Sequence, residues 1–442
     1  MAVVECAPEP GGAAVHTGTL PSKTLRETSV YLSGYHQREL YGISVEITPE
    51  HAAPRLLSRK DAVRQAEVAR IRSNLDRHGV TMVAGRARFV DPHTIEIVRP
   101  DGVQRLTAEI VLIATGSIPH RPADIDFNDP DIEDSDTVLH LDRMPSSLTV
   151  LGAGVIGCEY ATMFAALGVP VQLVEPRDHI LPFLDEDIGL GLLKAMAGLG
   201  ITPHLGDSWA SARRVPGRGI VTTLKRGGEV VSDQLLFAAG RSGNTRGLGL
   251  ETIGVKTGKR DYVEVDGSYR TSAPNVFAAG DCIGFPALAS TSMDQARVAV
   301  CRAFAFPYKR QMDELLPYGI YTIPEVSCVG LSESAARDAG YVPVMGKAFY
   351  QQNARGQIVG DRDGMIKLVF DPASRMLIGC HCIGERATEL VHIGQAVMTL
   401  QGTVETLIGM VFNYPTLSEL YKYAAYDALG HWPDAGVIRT RP

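Results

Sequence analysis

Apolar positions along the chain recur with two spacings, and the changes between them mark the elements. Residues 2–5, AVVE, form a short apolar run ending in an acid, and the Gly-Gly pair at 11–12 reads as a turn. Helical spacing runs from Pro21 to about His36, and a long polar helix is predicted from about Arg59 to His78. TMVAGRARFV, TIEIV and IVLIATG then read as strands. The Asp- and Pro-rich stretch HRPADIDFNDPDIEDSD reads as a loop. From Ser147 a strand (SLTVLGAG), a helix (VIGCEYATMFAALG) and a second strand (VQLVE) open a β-α-β unit, whose last strand is predicted at LLFAAG. NVFAAGD is a further strand, followed by an apolar helix from about Thr291 to Phe306. From about Leu316 onward, strands (MIKLVF, MLIGCHCIG) mix with a helix around ELVHIGQAVMTL, as in an α+β unit.

Size and charge narrow the picture. At 442 residues the chain is long enough for several domains, and its 45% hydrophobic and 21% charged composition is that of a globular protein. A net charge of −7 without a Lys/Arg-rich run gives no footprint for nucleic acid. No apolar stretch reaches the ~18 residues of a membrane helix, so no membrane partner is expected. The N-terminus lacks the regions of a signal peptide, and a cytoplasmic location is the default expectation. The seven cysteines include no Cys-x-x-Cys, so neither a zinc site nor a dithiol motif is indicated. Cys380 and Cys382 flank His381, and strand alternation puts both thiols on one face, which favours a core face over a metal site.

The sharpest chemical signal is Gly152-Ala153-Gly154-Val155-Ile156-Gly157, placed between a strand and a helix, with Glu175 closing the next strand about 20 residues on. Gly152 suits a tight turn, Gly154 a close approach of backbone to a pyrophosphate, and Gly157 close helix–strand packing. The helix N-terminus offers free N–H groups to phosphates. Glu175 can accept from a ribose 2′-OH, which favours NAD over NADP. Arg177 and His179 lie just beyond and could offset that bias; Arg177 reads equally as a solvated surface charge. A glycine-rich turn without a ligand is the plain alternative for the loop.

Six ordered segments, GGAAVHTGTLPSK, IATGSIP, GAGVIGCEYA, AAGRSGNT, VFAAGDCIG and YPTLSE, resemble those of the flavin-dependent pyridine nucleotide–disulfide oxidoreductases. The resemblance covers nearly the whole chain. It implies an α/β fold with two Rossmann-like dinucleotide-binding domains and a C-terminal α+β dimerisation domain. The expected limits are 1–144 and 265–315 for the FAD domain, 145–264 for the NAD(P) domain and 316–442 for the dimerisation domain of a homodimer. It also implies FAD contacts at Glu5, Gly12, Thr115, Gly116, Gly280, Asp281 and Ala289, with a plain turn residue after a strand as the alternative for Asp281. Nucleotide contacts are implied at Gly152, Gly154, Gly157, Glu175, Arg177, Gly240 and Arg241. Lys23 and Glu159 are implied to pair near flavin N5, although the same two residues could form a plain bridge between helices. His16 and Thr19 are placed close to the flavin, with a packed, backbone-bonded histidine as the alternative for His16. Arg241 and Asn244 either face the cofactor or merely connect domains.

The departures from that family are as informative as the matches. Its disulfide reductases carry two cysteines ahead of Pro-Ser-Lys; those positions are Ala14 and Thr19. Their C-terminal His-Pro-Thr is Tyr414-Pro415-Thr416, and a phenol with a pKa near about 10 is a poor base at neutral pH. Glu419, which would orient that histidine, remains. The paired loss resembles the soluble pyridine nucleotide transhydrogenases, as do Asn413-Tyr414-Pro415-Thr416, YGIYTIPEVSCVG, ARGQIVG and HIGQA. That likeness implies NAD(H) and NADP(H) as substrates, FAD as cofactor, and hydride passing from one nucleotide to flavin N5 and back to a second at the same site, with Thr19, Lys23 and Glu159 nearest the reaction. A quinone or flavin reductase, or a flavin-free nucleotide-binding remnant, are the competing expectations. Finally, the sequence opens at what reads as the second strand of the FAD domain, without that domain's first strand and glycine loop. Two explanations stand, a start codon chosen too far downstream, which is favoured, or a natural remnant. The expectation is that the sequence as it stands binds NAD(H) and holds little flavin.

Overall fold

The computed structural model describes residues 1–35, 40–41 and 49–432, the side chains of 49–56 excepted. In the first unit β1 (Ala2–Glu5) runs parallel to β2 (Thr81–Ala84). The run TMVAGRARFV is not one strand. Gly85 turns the chain at φ +143°, where a Cβ would sit 2.5 Å from Ile97 Cγ2. Beyond it β3 (Arg86–Asp91) enters a separate antiparallel sheet with β4 (Thr94–Arg99) and β5 (Gly102–Thr107). β6 (Val111–Ile113) pairs with neither sheet but runs parallel to a strand at Val276–Ala278. α1 (Gly12–His16) and α2 (Thr19–Ser33) follow β1, and α2 ends at left-handed Gly34, before the expected His36, which lies outside the described residues. α3 (Pro49–Arg77) begins ten residues before the predicted Arg59.

The chain then crosses through β7 (Ser117–Pro119) into the nucleotide unit, a five-stranded parallel sheet in the order β11-β10-β9-β15-β8. Its strands are β8 (Ile132–Asp134), β9 (Leu148–Leu151), β10 (Val171–Glu175), β11 (Ile201–Leu205) and β15 (Gln234–Phe237). All four residues of β9 and of β15 are buried, as expected of central strands covered on both faces. α4 (Val155–Ala166) and α5 (Glu186–Gly198) cross between its strands, and a β-meander of β12 (Trp209–Val215), β13 (Gly219–Leu224) and β14 (Glu229–Ser232) is inserted before β15. β8 lies inside the stretch expected to be loop; its pairing with β15 makes it the sheet's fifth strand.

β16 (Arg241–Gly243) returns antiparallel to β7, and Leu250, Val255 and Val263 pack with Phe89 and Ile113 of the first unit. Sheet membership thus puts β8 with the nucleotide unit and residues 241–264 with the first. We propose unit limits near 120 and 241 in place of 145 and 264. β17 (Val276–Ala278) completes the pair with β6, and α6 (Ala289–Ala303) follows. The first unit therefore has two two-stranded parallel sheets, β2-β1 and β6-β17, whose inner strands face one cleft.

The C-terminal unit is an antiparallel sheet in the order β18-β19-β22-β21-β20, comprising β18 (Tyr318–Ile320), β19 (Val326–Gly330), β20 (Val344–Phe349), β21 (Met365–Phe370) and β22 (Leu377–Ile383). Helices at Ala387–Thr399 and Leu420–Gly430 cover one face, where Cys380, Cys382, Leu390, Tyr421 and Ala424 share a core. The other face joins the core of the nucleotide unit through Met365, Val326 and Ile383, beside Ile188 and Leu192 of α5. Hence all six residues of β21 are buried, Lys367 included. Its Nζ lies 2.8 Å from Asp185, 2.5 Å from Asp187 and 2.8 Å from Glu333, which ties the two units together.

Candidate active site

The Gly152–Gly157 loop has the geometry its sequence predicts. Gly152 has φ +103°, and a Cβ there would sit 3.0 Å from Ala238 O. A Cβ on Gly157 would lie 1.8 Å from Gly152 O, so only glycine lets α4 start this close to β9. Around Gly154 there is no atom within 4 Å of the Cβ position; that space is open to a ligand. Glu175, at the end of β10, accepts from Ala153 N–H at 2.7 Å, from Arg177 N–H at 3.2 Å and from Arg177 Nε at 2.7 Å. Burial opposes its ionisation, but the Arg177 and Ala153 hydrogen bonds outweigh it and hold the carboxyl below the usual range.

A second group lies where the three units meet. Lys23, on α2, donates to both oxygens of Glu159, on α4, at 2.9 and 2.8 Å. Glu159 is 2% exposed and also accepts from the backbone N–H of Tyr321, just past β18, at 2.9 Å. The ammonium sits 4.9 Å from the centre of the Tyr321 ring. Thr19, the first residue of α2, and Ala14 of α1 line the same cleft. His16 also lines it, with Nε2 3.0 Å from Pro10 O, so it is a packed histidine at the rim.

The third group closes the first unit. Asp281, after β17, accepts from Ser117 Oγ at 2.9 Å, and Ser117 Oγ accepts from Arg241 Nε at 2.7 Å. Arg241 also donates to Ser117 O, Ser135 Oγ and Asp136, so it braces the β7–β16 crossing while it borders the cleft. Asn244 likewise bonds to Thr115 O and, through its backbone, to Gly116 O. Glu5 ends β1 as Glu175 ends β10, with Ala7 N–H on its carboxylate at 2.9 Å. Gly12 and Gly116 have positive φ and open space at their Cβ positions, and Ala289 begins α6, whose Ser292 Oγ lies 3.5 Å from Asp281 Oδ1.

One connected cleft of about 3430 Å³ brings these groups together. Glu5, Gly12, Thr19, Lys23, Thr115, Gly116, Gly152, Gly154, Glu159, Glu175, Arg177, Gly240, Arg241, Gly280, Asp281 and Ala289 all border it. Gly157 does not; it acts through packing. Tyr414 is elsewhere, 75% exposed on the C-terminal unit. Ser117 and Tyr321 were missed as individual residues, although both fall inside motifs, IATGSIP and YGIYTIPE, that point to this region. Of the cysteines only Cys6 is exposed. Burial pushes the thiols of Cys282 and Cys328 up to about 11 and about 12, so neither supplies a thiolate at neutral pH. Among the described residues no cluster of His, Cys, Asp and Glu could hold a metal.

Residues 2–300 match the family described as pyridine nucleotide-disulphide oxidoreductase, and residues 316–425 match its dimerisation domain. The chain belongs to this family. It is 44% identical over 433 residues to the soluble pyridine nucleotide transhydrogenase of Mycobacterium bovis (strain BCG / Pasteur 1173P2), covering 97% of this chain and 92% of that protein. It is 41% identical over 435 residues to the protein of the same description from Pseudomonas aeruginosa (strain LESB58), covering 97% and 93%. Among solved structures, LpdA from Mycobacterium tuberculosis superposes with a TM-score of 0.88 at 29% identity, covering 96% of this chain and 93% of that one. The HOCl-induced flavoprotein disulfide reductase RclA from Escherichia coli reaches 0.86 at 24% identity and shares the fold. No helix among the described residues is long and apolar enough to cross a membrane.

Proposed function

We propose that this protein exchanges hydride between NADPH and NAD⁺ through FAD, one nucleotide replacing the other at a single site. One observation carries the reading. The Gly152–Gly157 loop and the Lys23–Glu159 pair open on one cleft, and the two positions between them that would bear a redox disulfide are Ala14 and Thr19. The 41–44% identity to soluble transhydrogenases supports it.

The residues of the first unit fit part of FAD. Glu5 would hold the adenosine ribose, Asp281 the ribityl–pyrophosphate region, and the open positions at Gly12 and Gly116 admit close approach of a ligand. FAD, when bound, accepts hydride at N5 and returns it. The chain's residues do the rest. The Gly152–Gly157 loop and the N-terminus of α4 receive the nucleotide pyrophosphate. Lys23 keeps a positive charge at the ring end of the cleft, and buried Glu159 fixes its position through two hydrogen bonds. Thr19 fills the place of a nucleophilic thiol with a hydroxyl that forms no covalent adduct with the flavin or the nucleotide. We further propose that the protein works as a homodimer through residues from about 316 onward, in the cytoplasm. The test is steady-state exchange between NADPH and the thionicotinamide analogue of NAD⁺. Parallel double-reciprocal lines are expected. Turnover of a quinone without nucleotide exchange would replace this reading by that of a quinone reductase.

A further inference from the structure

NAD(H) and NADP(H) differ only at the 2′ position of the adenosine ribose, so a site serving both must meet a hydroxyl in one and a phosphate dianion in the other. The strand-end acid is not free to decide between them. Glu175 is 2% exposed, and its two oxygens are engaged by Ala153 N–H and by Arg177. Arg177 spends Nε on that pair, while no partner is found among the described residues for its two terminal amino groups, and its side chain is 44% exposed.

The backbone then gathers more positive charge at the same place. Gly206 N–H donates to Arg177 O at 2.7 Å and Asp207 N–H to Glu175 O at 3.2 Å, so the segment leaving β11 is fastened to the end of β10. That segment holds the β13–β14 turn, for Lys225 N–H donates to Ser208 O at 2.7 Å and Arg226 N–H to Asp207 Oδ1 at 3.1 Å. Arg226 Nη1 is 3.0 Å from where a Gly206 Cβ would be, so its guanidinium lies against the glycine bonded to Arg177. Lys225 and Arg226 are exposed and form no ion pair among the described residues. Lys225 borders the cleft together with Glu175, Arg177, Ser208 and Trp209. Asp207 caps the N–H groups of Ser208 and Arg226 with its Oδ1, and Asp178, next to Arg177, pairs with His179. Three cations thus gather where the nearby carboxylates are already engaged.

We propose that Lys225 and Arg226, on the turn of the inserted meander, form with the terminal amino groups of Arg177 the seat for the 2′-phosphate of NADP(H). Glu175 orients Arg177 and neutralises itself in doing so, and NAD(H) binds the same loop without engaging the turn. The proposal deepens the transhydrogenase reading, from which it takes the need for two nucleotides.

The probes are adenosine 2′,5′-bisphosphate and AMP, titrated calorimetrically into the full chain, its Lys225→Ala and Arg226→Ala variants and the double variant. Charge-assisted contacts to phosphate predict that each single change weakens the bisphosphate about 10-fold and the double change more, with AMP affinity held within about 2-fold. Raising salt should erode the wild-type preference for the bisphosphate and leave the double variant nearly unaffected. Lys225→Arg should retain it. Equal weakening of both probes, or none, would overturn the seat. The controls are far-UV circular dichroism and AMP binding, since both side chains are exposed. If NADPH exchange is absent while the bisphosphate preference is present and turn-dependent, the transhydrogenase reading fails and the seat stands. If exchange is normal and the variants keep the preference, the seat alone fails.

Discussion

Two glycines of one loop should fail differently when given the same methyl group. In Gly154→Ala the new Cβ meets nothing within 4 Å, and the residue's φ of −76° and ψ of −173° suit alanine. The fold should therefore tolerate it, with a melting temperature within about 2 °C of the parent. The methyl nevertheless occupies the space through which a pyrophosphate must approach the α4 N–H groups, and that approach cannot lengthen by even about 1 Å without loss of hydrogen-bond geometry. NADH affinity should fall at least about 30-fold, taking two charge-assisted bonds as lost. In Gly157→Ala the Cβ lies 1.8 Å from Gly152 O, so helix and strand have to part by more than about 1 Å inside a close-packed core. Overpacking of this kind costs about 1–3 kcal/mol. This variant should lose both thermal stability and NADH affinity. Calorimetric titration with NADH, paired with thermal unfolding, reads both effects. If Gly154→Ala binds NADH like the parent, the pyrophosphate does not approach at Gly154 and the assignment of the loop is wrong. If Gly157→Ala unfolds like the parent, the close approach of α4 to β9 is not as described.

Lys367→Met should destabilise the joint between nucleotide and C-terminal units by about 3 kcal/mol, because Asp185, 1% exposed in its side chain, is left charged without its cation. Lys367 is also a cause of the depressed carboxyls of Asp187 and Glu333. A folded pKa below the unfolded one stabilises fully above the ordinary carboxylate range and is lost as pH falls through the folded value, so the parent should lose stability on acidification below about pH 4 more steeply than Lys367→Met; parallel acid profiles by denaturant unfolding would refute this. Glu175→Ala should weaken NADH binding by about 1–3 kcal/mol, through the stranded Ala153 N–H and the untethered Arg177, and weaken NADPH binding less; unchanged affinity for both would show that the acid does not shape the ribose site. NADPH-dependent reduction of lipoamide or glutathione disulfide should stay at background, since Ala14, Thr19 and Tyr414 supply neither thiols nor a base; clear turnover would overturn this. Light scattering at micromolar concentration should give the dimer mass, and a monomer mass would count against the dimerisation reading.

What was legible in the sequence was whatever local chemistry dictates. The glycine loop, its strand and helix, and Glu175 carry their geometry in residue types that few other backbones require, and they sit as predicted. Elements that depend on a distant partner were harder to read. β8 is three residues in an Asp-rich stretch, IED, and is a strand only because β15 lies beside it. The meander did leave a signal that was passed over: GIVTTL and EVVS are β-branched runs on either side of a turn with Gly227-Gly228, a hairpin pattern. Gly85 divides one apparent strand between two sheets, and only the crowding against Ile97 shows why. Between the two roles open to Arg241, facing the cofactor or joining domains, the motif alone could not choose, for a related reason. A motif shows that an arginine is present, but Ser117, Ser135 and Asp136, which engage its donors, come from a different part of the chain.

The same distinction bears on Lys23 and Glu159, for which a bridge between helices and a place in the proposed site were both open. Read alone, the pair is an ion bridge between two helices, and a buried bridge is weak evidence of function because desolvation offsets much of the attraction. The structure adds a third donor. Tyr321 N–H reaches Glu159 Oε1 from the C-terminal unit, so α2, α4 and the chain beyond β18 each supply one element of a single hydrogen-bonded group. Glu159 is nearly sealed while Lys23 keeps a quarter of its side chain exposed on the cleft, so the carboxylate serves the interior and the ammonium serves the cavity. That asymmetry fits the proposal that Lys23 faces the ring end of the cleft. The Lys23–Glu159–Tyr321 group is therefore complete only when all three units are docked.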